Sequence, residues 1–155
     1  MTVSNHVLSY SELEDFSEIY AIYSPIEAFE LAFSLNKSLK LSFKRANSDV
    51  SFTKSEAHFM VYKHEDKEGA FNMWLYSNLY KKEGLNAASL LLFKTETTEE
   101  FLLPEVSKAN FLLKYSGEVG LLDYYKERFG LVQGVISFQK IPLKKLKSKT
   151  NLIVD

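Results

Sequence analysis

Twice along the chain an apolar run leads straight into an amphipathic segment of helical period and out into another apolar run. This succession constrains the fold more than any other feature. The first unit is "EIYAIYS", then "PIEAFELAFSLNKSL", then the alternating "LKLSFKRA". The second is "ANFLLKYSG", "EVGLLDYYKERFG" and "VQGVISFQKIP". A strand that returns parallel to an earlier one needs a long crossover, normally a helix, and the crossover is right-handed. Two such units, without a sequence repeat between them, predict an α+β fold. The expected architecture is a two-layer sandwich with two main helices on one face of a largely antiparallel sheet, a ferredoxin-like core with extra meander strands.

Local signals place the elements. Ser24, Pro25 and Glu27 read as a hydroxyl N-cap, a proline at the first helical position and the glutamate of a capping box. The first helix is therefore predicted over 24–39. Glu27, Glu30, Ser34 and Lys37 make one polar stripe, and Ile26, Ala28, Phe29, Ala32, Phe33 and Leu35 cover the rest, so burial over most of the circumference is expected. The second helix is predicted over 119–129, with Leu121, Leu122, Tyr125 and Phe129 inward and Gly130 closing it. Between the two units, "VSFT", "AHFMVYKH" and "AFNMWLYSNLY" read as strands separated by the turns "NSD" and "EDKEG". Pairing across that second turn as a five-residue loop puts Phe59 and Val61 with Phe71, Met73 and Leu75 on the core face. His58, Met60, Tyr62, Trp74 and Tyr76 then share the opposite face as a candidate interaction surface.

One domain over 1–155 is expected. Residues 83–99 are polar and aperiodic and are expected to form a mobile loop. The tail 143–155 carries Lys144, Lys145, Lys147 and Lys149 and ends in Leu152, Ile153 and Val154, a trio too apolar to stay in water and expected to dock along a sheet edge. The opening "MTVSNHVLSYSELEDF" lacks a basic and an apolar region, and no apolar run approaches the ~20 residues of a membrane span, so a cytoplasmic protein with no membrane partner is expected.

The formal net charge is -1, which gives no overall field to gather nucleic acid. The absence of cysteine excludes disulfides, thiolate zinc sites and thiol nucleophiles. His6, His58 and His64 are scattered; six residues along one strand hold the last two ~20 Å apart. No Gly-x-Ser-x-Gly elbow and no Gly-rich phosphate loop is present. No catalytic, cofactor or metal residues are assigned.

One stretch asks for a separate reading: "FLLPEVSKANFLLKYSG". Pro104 lacks an N–H and biases Leu103 to an extended conformation, so Leu103 can enter the core as the chain turns. Glu105 is expected to bond the backbone N–H of Ser107 or Lys108, or to pair with a lysine. Phe111 and Leu113 should face the core, with Leu112 and Lys114 on the other side. The bend reads as structure rather than as a reactive site. Leu103-Pro104-Glu105, three residues, then Ala109-Asn110-Phe111, resembles the signature of the IPExxxVDY family; "AFELAFSLNKSL" and the ending "KLKSKTNLIVD" are similar to that family's first helix and tail. Asn110 stands where the family has Asp, so no ionised carboxylate is required there. The resemblance implies a small cytoplasmic protein of bacteroidetes-type bacteria and no reaction.

The resulting expectation is a protein that acts by binding or self-association, as a homodimer formed through the sheet face or by tail exchange, with other protein partners open. A nucleic-acid-binding accessory protein using the aromatic face and the lysine tail is the alternative from a different class.

Overall fold

The structure, a computed structural model, describes residues 17–84 and 96–152. In chain order the elements are β1 (Ser17–Tyr23), α1 (Ala28–Leu39), β2 (Lys44–Arg45), β3 (Val50–Ser51), β4 (His58–Phe59), β5 (Val61–Glu65), β6 (Phe71–Ser77), β7 (Leu79–Gly84), β8 (Glu96–Phe101), β9 (Phe111–Gly117), α2 (Val119–Phe129) and β10 (Ser137–Ile141). Single 3-10 turns stand at Pro104–Val106, Leu143–Lys145 and Lys149–Leu152.

The main sheet runs β10-β1-β9-β6-β5-β2, and every neighbouring pair is antiparallel. β9 and β10 are thus parallel to each other with β1 between them, and β1 and β6 are parallel with β9 between them. β1, α1 and β6 wrap around β9, while β9, α2 and β10 wrap around β1, which is the strand order of a ferredoxin-like core; the third member of the first unit is thus β6 and not the segment after α1. β5 and β2 extend that core. The α+β sandwich expected from the sequence is the observed fold.

Both helices lie on one face. On α1 the positions Ala28, Leu31, Ala32, Leu35 and Leu39, three and four apart, are buried. They meet Leu122 and Phe129 of α2 over Ile22, Met73, Leu75 and Leu113 of the sheet. Two expectations for α1 need correction. It begins at Ala28, and Ser24 does not cap it. Ser24 is instead a buried brace: its N–H donates to Asn110 Oδ1 at 2.7 Å and its hydroxyl to the Gly134 carbonyl at 2.5 Å. Burial also covers only the narrow stripe just named, and Phe29 and Phe33 stay 63% and 66% exposed. The helix ends at Lys40 in the left-handed region, φ 58°. Asn36 then holds Phe43 by both its amide groups, at 2.7 and 3.1 Å, so 41–43 tuck Leu41 and Phe43 into the core without forming a strand.

The opposite sheet face is covered by irregular structure. Phe59, Val61, Tyr76 and Leu112 are buried there beneath Leu102, Leu103, Leu146 and Leu152. The β7–β8 ladder, from Leu79–Phe101 to Gly84–Glu96, takes both ends of the expected mobile loop into a hairpin. Its centre, 85–95, lies outside the described residues. No helix among the described residues is long and apolar enough to cross a membrane.

Candidate functional site

The predicted aromatic surface is divided by register. Val61 pairs with Tyr76, Tyr62 with Leu75 and His64 with Met73. Glu65 pairs with Asn72, so an even number of residues (66–71) separates the two strands. Asp66 shapes that turn, accepting Ala70 N–H at 3.0 Å on its carboxylate and Gly69 N–H at 3.0 Å on its carbonyl. A hairpin closed by an even number sets odd residues against even ones, and a change of parity moves a whole strand's side chains to the other face. Met60 and Tyr62 therefore pack toward the helices, while Phe59 and Val61 share the other face with Trp74 and Tyr76. His58 is exposed beside Tyr80, with Nδ1 2.9 Å from Asp49. The five residues form no common surface. Tyr76 is buried and Trp74 half-buried, so the chain's own turns cover much of this face.

The signature loop is organised by a residue the sequence reading passed over. Asn78 is fully buried and all its polar groups are engaged. Its N–H donates to the Asn110 carbonyl at 3.0 Å and its carbonyl accepts Leu102 N–H at 2.9 Å. Its side-chain oxygen accepts Leu103 N–H at 2.8 Å, and its amide nitrogen donates to the Val106 and Ala109 carbonyls, each at 3.0 Å. The loop cannot satisfy these groups in a ladder, so one amide does so. Around it Leu103, Ala109 and Phe111 are buried, and Pro104 opens the 3-10 turn on the surface. Glu105 is exposed and accepts the Ser148 hydroxyl at 2.7 Å. Among the described residues it bonds neither the following turn nor a lysine.

The tail docks over the face of its own sheet, on the central strands β6 and β9, and not along an edge as expected. Leu152 is fully buried, and its carbonyl accepts Tyr76 O–H at 2.7 Å and Lys114 Nζ at 2.6 Å. Asn151 reaches the Leu102 carbonyl at 3.0 Å. Ile153 and Val154 lie outside the described residues. Lys114, expected on this face, is buried, with its ammonium 4.2 Å from the centre of the Trp74 ring. Burial, with Lys63 nearby, pushes its pKa down to about 8.

His64 is buried between Phe43 and Phe71. Nδ1 accepts Ser42 N–H at 2.9 Å, Nε2 has no partner among the described residues, and burial lowers the pKa. The broad hollow beside it is lined by Lys40, Lys44, Arg45, Lys63 and Lys67 together with Glu65, Asp66 and Glu68, and Arg45 and Lys63 are already paired with Asp49 and Glu65. His6 is outside the described residues. Among the described residues no three His, Asp or Glu side chains gather as a metal site would need.

What remains is the outer side of the helix layer. The large apolar side chains exposed there are Phe29 and Phe33 of α1, Tyr124 of α2, and Leu131 and Ile136 of the α2–β10 connection. Tyr124 is partly occupied, with the Arg128 guanidinium 3.8 Å from its ring centre. Phe29 and Phe33, one turn apart, border a cleft of about 560 Å³ completed by Ile26, Glu30, Ser34 and Gln133–Gly134. Gly134 has φ +95°, a conformation that favours glycine, and forms this wall against the Ile26 side chain. The helical wheel held the signal for this surface. The stripe from Ala28 to Leu39 already fills one face, and Phe29 and Phe33 stand about 60° and about 100° beyond its edge. Comparison of the chain with family models, curated proteins and solved structures finds no match.

Proposed function

We propose that this protein acts by binding rather than by catalysis, and that its docking surface is the outer face of α1. The observation that carries this is the pair Phe29 and Phe33, exposed beside an open cleft on a helix whose inner stripe is complete core. Two large aromatics a turn apart gain nothing from water, and a contiguous apolar patch rimmed by polar residues is what interfaces present. The reading replaces the sheet face, which the chain's own turns cover, as the contact surface. The lysines of the nucleic-acid alternative, Lys144, Lys145 and Lys147, are exposed, yet the rings meant to accompany them are divided between two faces, with Tyr76 buried and Tyr62 and Trp74 half-buried.

A cytoplasmic setting, and membership of the IPExxxVDY family on the residues quoted above, belong to the same proposal; the absence of cysteine agrees with a reducing compartment.

A photoreactive benzoyl-phenylalanine at position 33, irradiated in the producing cells, should give a covalent adduct. The same group at the exposed Glu127 of α2 should give little. Equal yields at the two positions would refute the assignment of the surface.

A further inference from the structure

Resting on that reading, we infer that the occupant of the α1 face is a second copy of this chain, packed α1 against α1 in antiparallel orientation about a two-fold axis between Phe33 and Ser34.

The argument is one of self-complementarity. An isologous contact requires a single patch to be its own partner. The exposed strip of α1 carries Glu30 in its first turn and Lys37 in its last, with Phe33 between them. Neither Glu30 nor Lys37 has an ion-pair partner among the described residues. An antiparallel pairing centred between Phe33 and Ser34 sets Glu30 opposite Lys37 of the second copy, twice by symmetry. A parallel pairing sets like against like. Glu30 and Lys37 also lie on the same side of Phe33 around the helix, and a two-fold axis normal to both helices brings same-side residues together. The Phe33 ring of each copy then enters the neighbouring cleft, whose far wall is the bare backbone of Gly134. Leu131 and Ile136, 86% and 74% exposed, stand on the connection that forms that wall and extend the apolar area beyond the helix. The patch is modest, so a weak dimer is expected, sensitive to salt through its paired charges.

Sedimentation equilibrium of the full chain, loaded from about 1 to about 200 µM at low salt, tests this. The wild type should move from monomer to dimer across that range, and Phe33→Asp should remain monomeric while its circular dichroism and melting stay unchanged. Glu30→Lys and Lys37→Glu should each weaken the dimer about tenfold, and the double exchange Glu30→Lys/Lys37→Glu should restore it to within about threefold of wild type. A wild type that stays monomeric throughout overturns the second copy as occupant, and the photoadduct at position 33 still decides whether the face docks anything. A dimer that survives Phe33→Asp overturns both this inference and the docking surface. Loss on Phe33→Asp without rescue by the double exchange overturns the antiparallel register and leaves the docking surface standing.

Discussion

The helix side of the sheet is closed chiefly by the apolar side chains of two helices, with Asn36 and His64 bonding only the short segment 42–43, whereas the turn side is closed only with the help of polar groups set beneath the cover. α1 and α2 satisfy their own backbone internally, so Leu31, Leu35, Leu122 and Phe129 need only fit. The segments 102–110 and 143–152 have no such ladder. Their backbone groups are met by Asn78, Asn151, Tyr76 and Lys114. A cover made of turns thus ties its stability to a few polar residues, while a cover made of helices leaves its outer surface free for another use.

The largest test of this contrast is Asn78→Ala. It removes three side-chain hydrogen bonds and strands Leu103 N–H and the Val106 and Ala109 carbonyls in the interior. A loss of about 3 kcal/mol or more in urea denaturation is expected. Amide exchange should show 102–110 opening before the helices do. A loss under about 1 kcal/mol would break the contrast.

Lys114 sharpens it through pH. Its folded pKa, about 8, lies below its ordinary 10.5. Between those values the unfolded chain holds a proton that the folded chain has released, so the Lys114 contribution to stability should rise with pH from about 8 upward and be constant below. Above about pH 10 the trend should reverse, because burial raises the pKa of Tyr76 and the unfolded tyrosine then loses its proton first. Lys114→Met should flatten the rise between pH 8 and 9.5 by on the order of 1 kcal/mol in denaturant titrations. An unchanged slope would show that another group causes it.

Glu105→Gln is the smallest expected effect. The exposed acceptor of Ser148 O–H keeps an oxygen, so less than about 1 kcal/mol should be lost, with association intact. A large loss of stability would assign the tail's anchoring to this carboxylate instead of to Leu152.

Much of the framework was legible because it follows from period and punctuation. The second strand-helix-strand unit, β1 and the helix after it, the 119–129 helix and the split of Phe111 and Leu113 from Leu112 and Lys114 all rest on local patterns, whereas the strand read over "LKLSFKRA" shrinks to Lys44–Arg45. What depended on counting across a turn failed, since one residue more or fewer between Glu65 and Asn72 exchanges the faces of Met60 and Val61. What depended on distant partners was invisible. Ser24 has every local mark of a cap, yet Asn110 and Gly134 claim it across 86 and 110 residues. Asn78 sits at the end of an apolar run with nothing nearby to announce its role. Phe29 and Phe33 were read as core because hydrophobicity alone does not say which stripe faces inward.

The rims of the six-stranded sheet bear on how this chain behaves when crowded. A long, flat outer strand is a template on which further strands, native or foreign, assemble into fibrils. One rim here is β2, only Lys44–Arg45, both exposed and both cationic. The other is β10, where Gln139 and Lys140 are exposed and Pro142 follows at once, unable to donate to another strand. Both rims thus carry guards against cross-β growth, and a protein left with sticky aromatics on its helices keeps that stickiness away from the backbone groups that would make it irreversible.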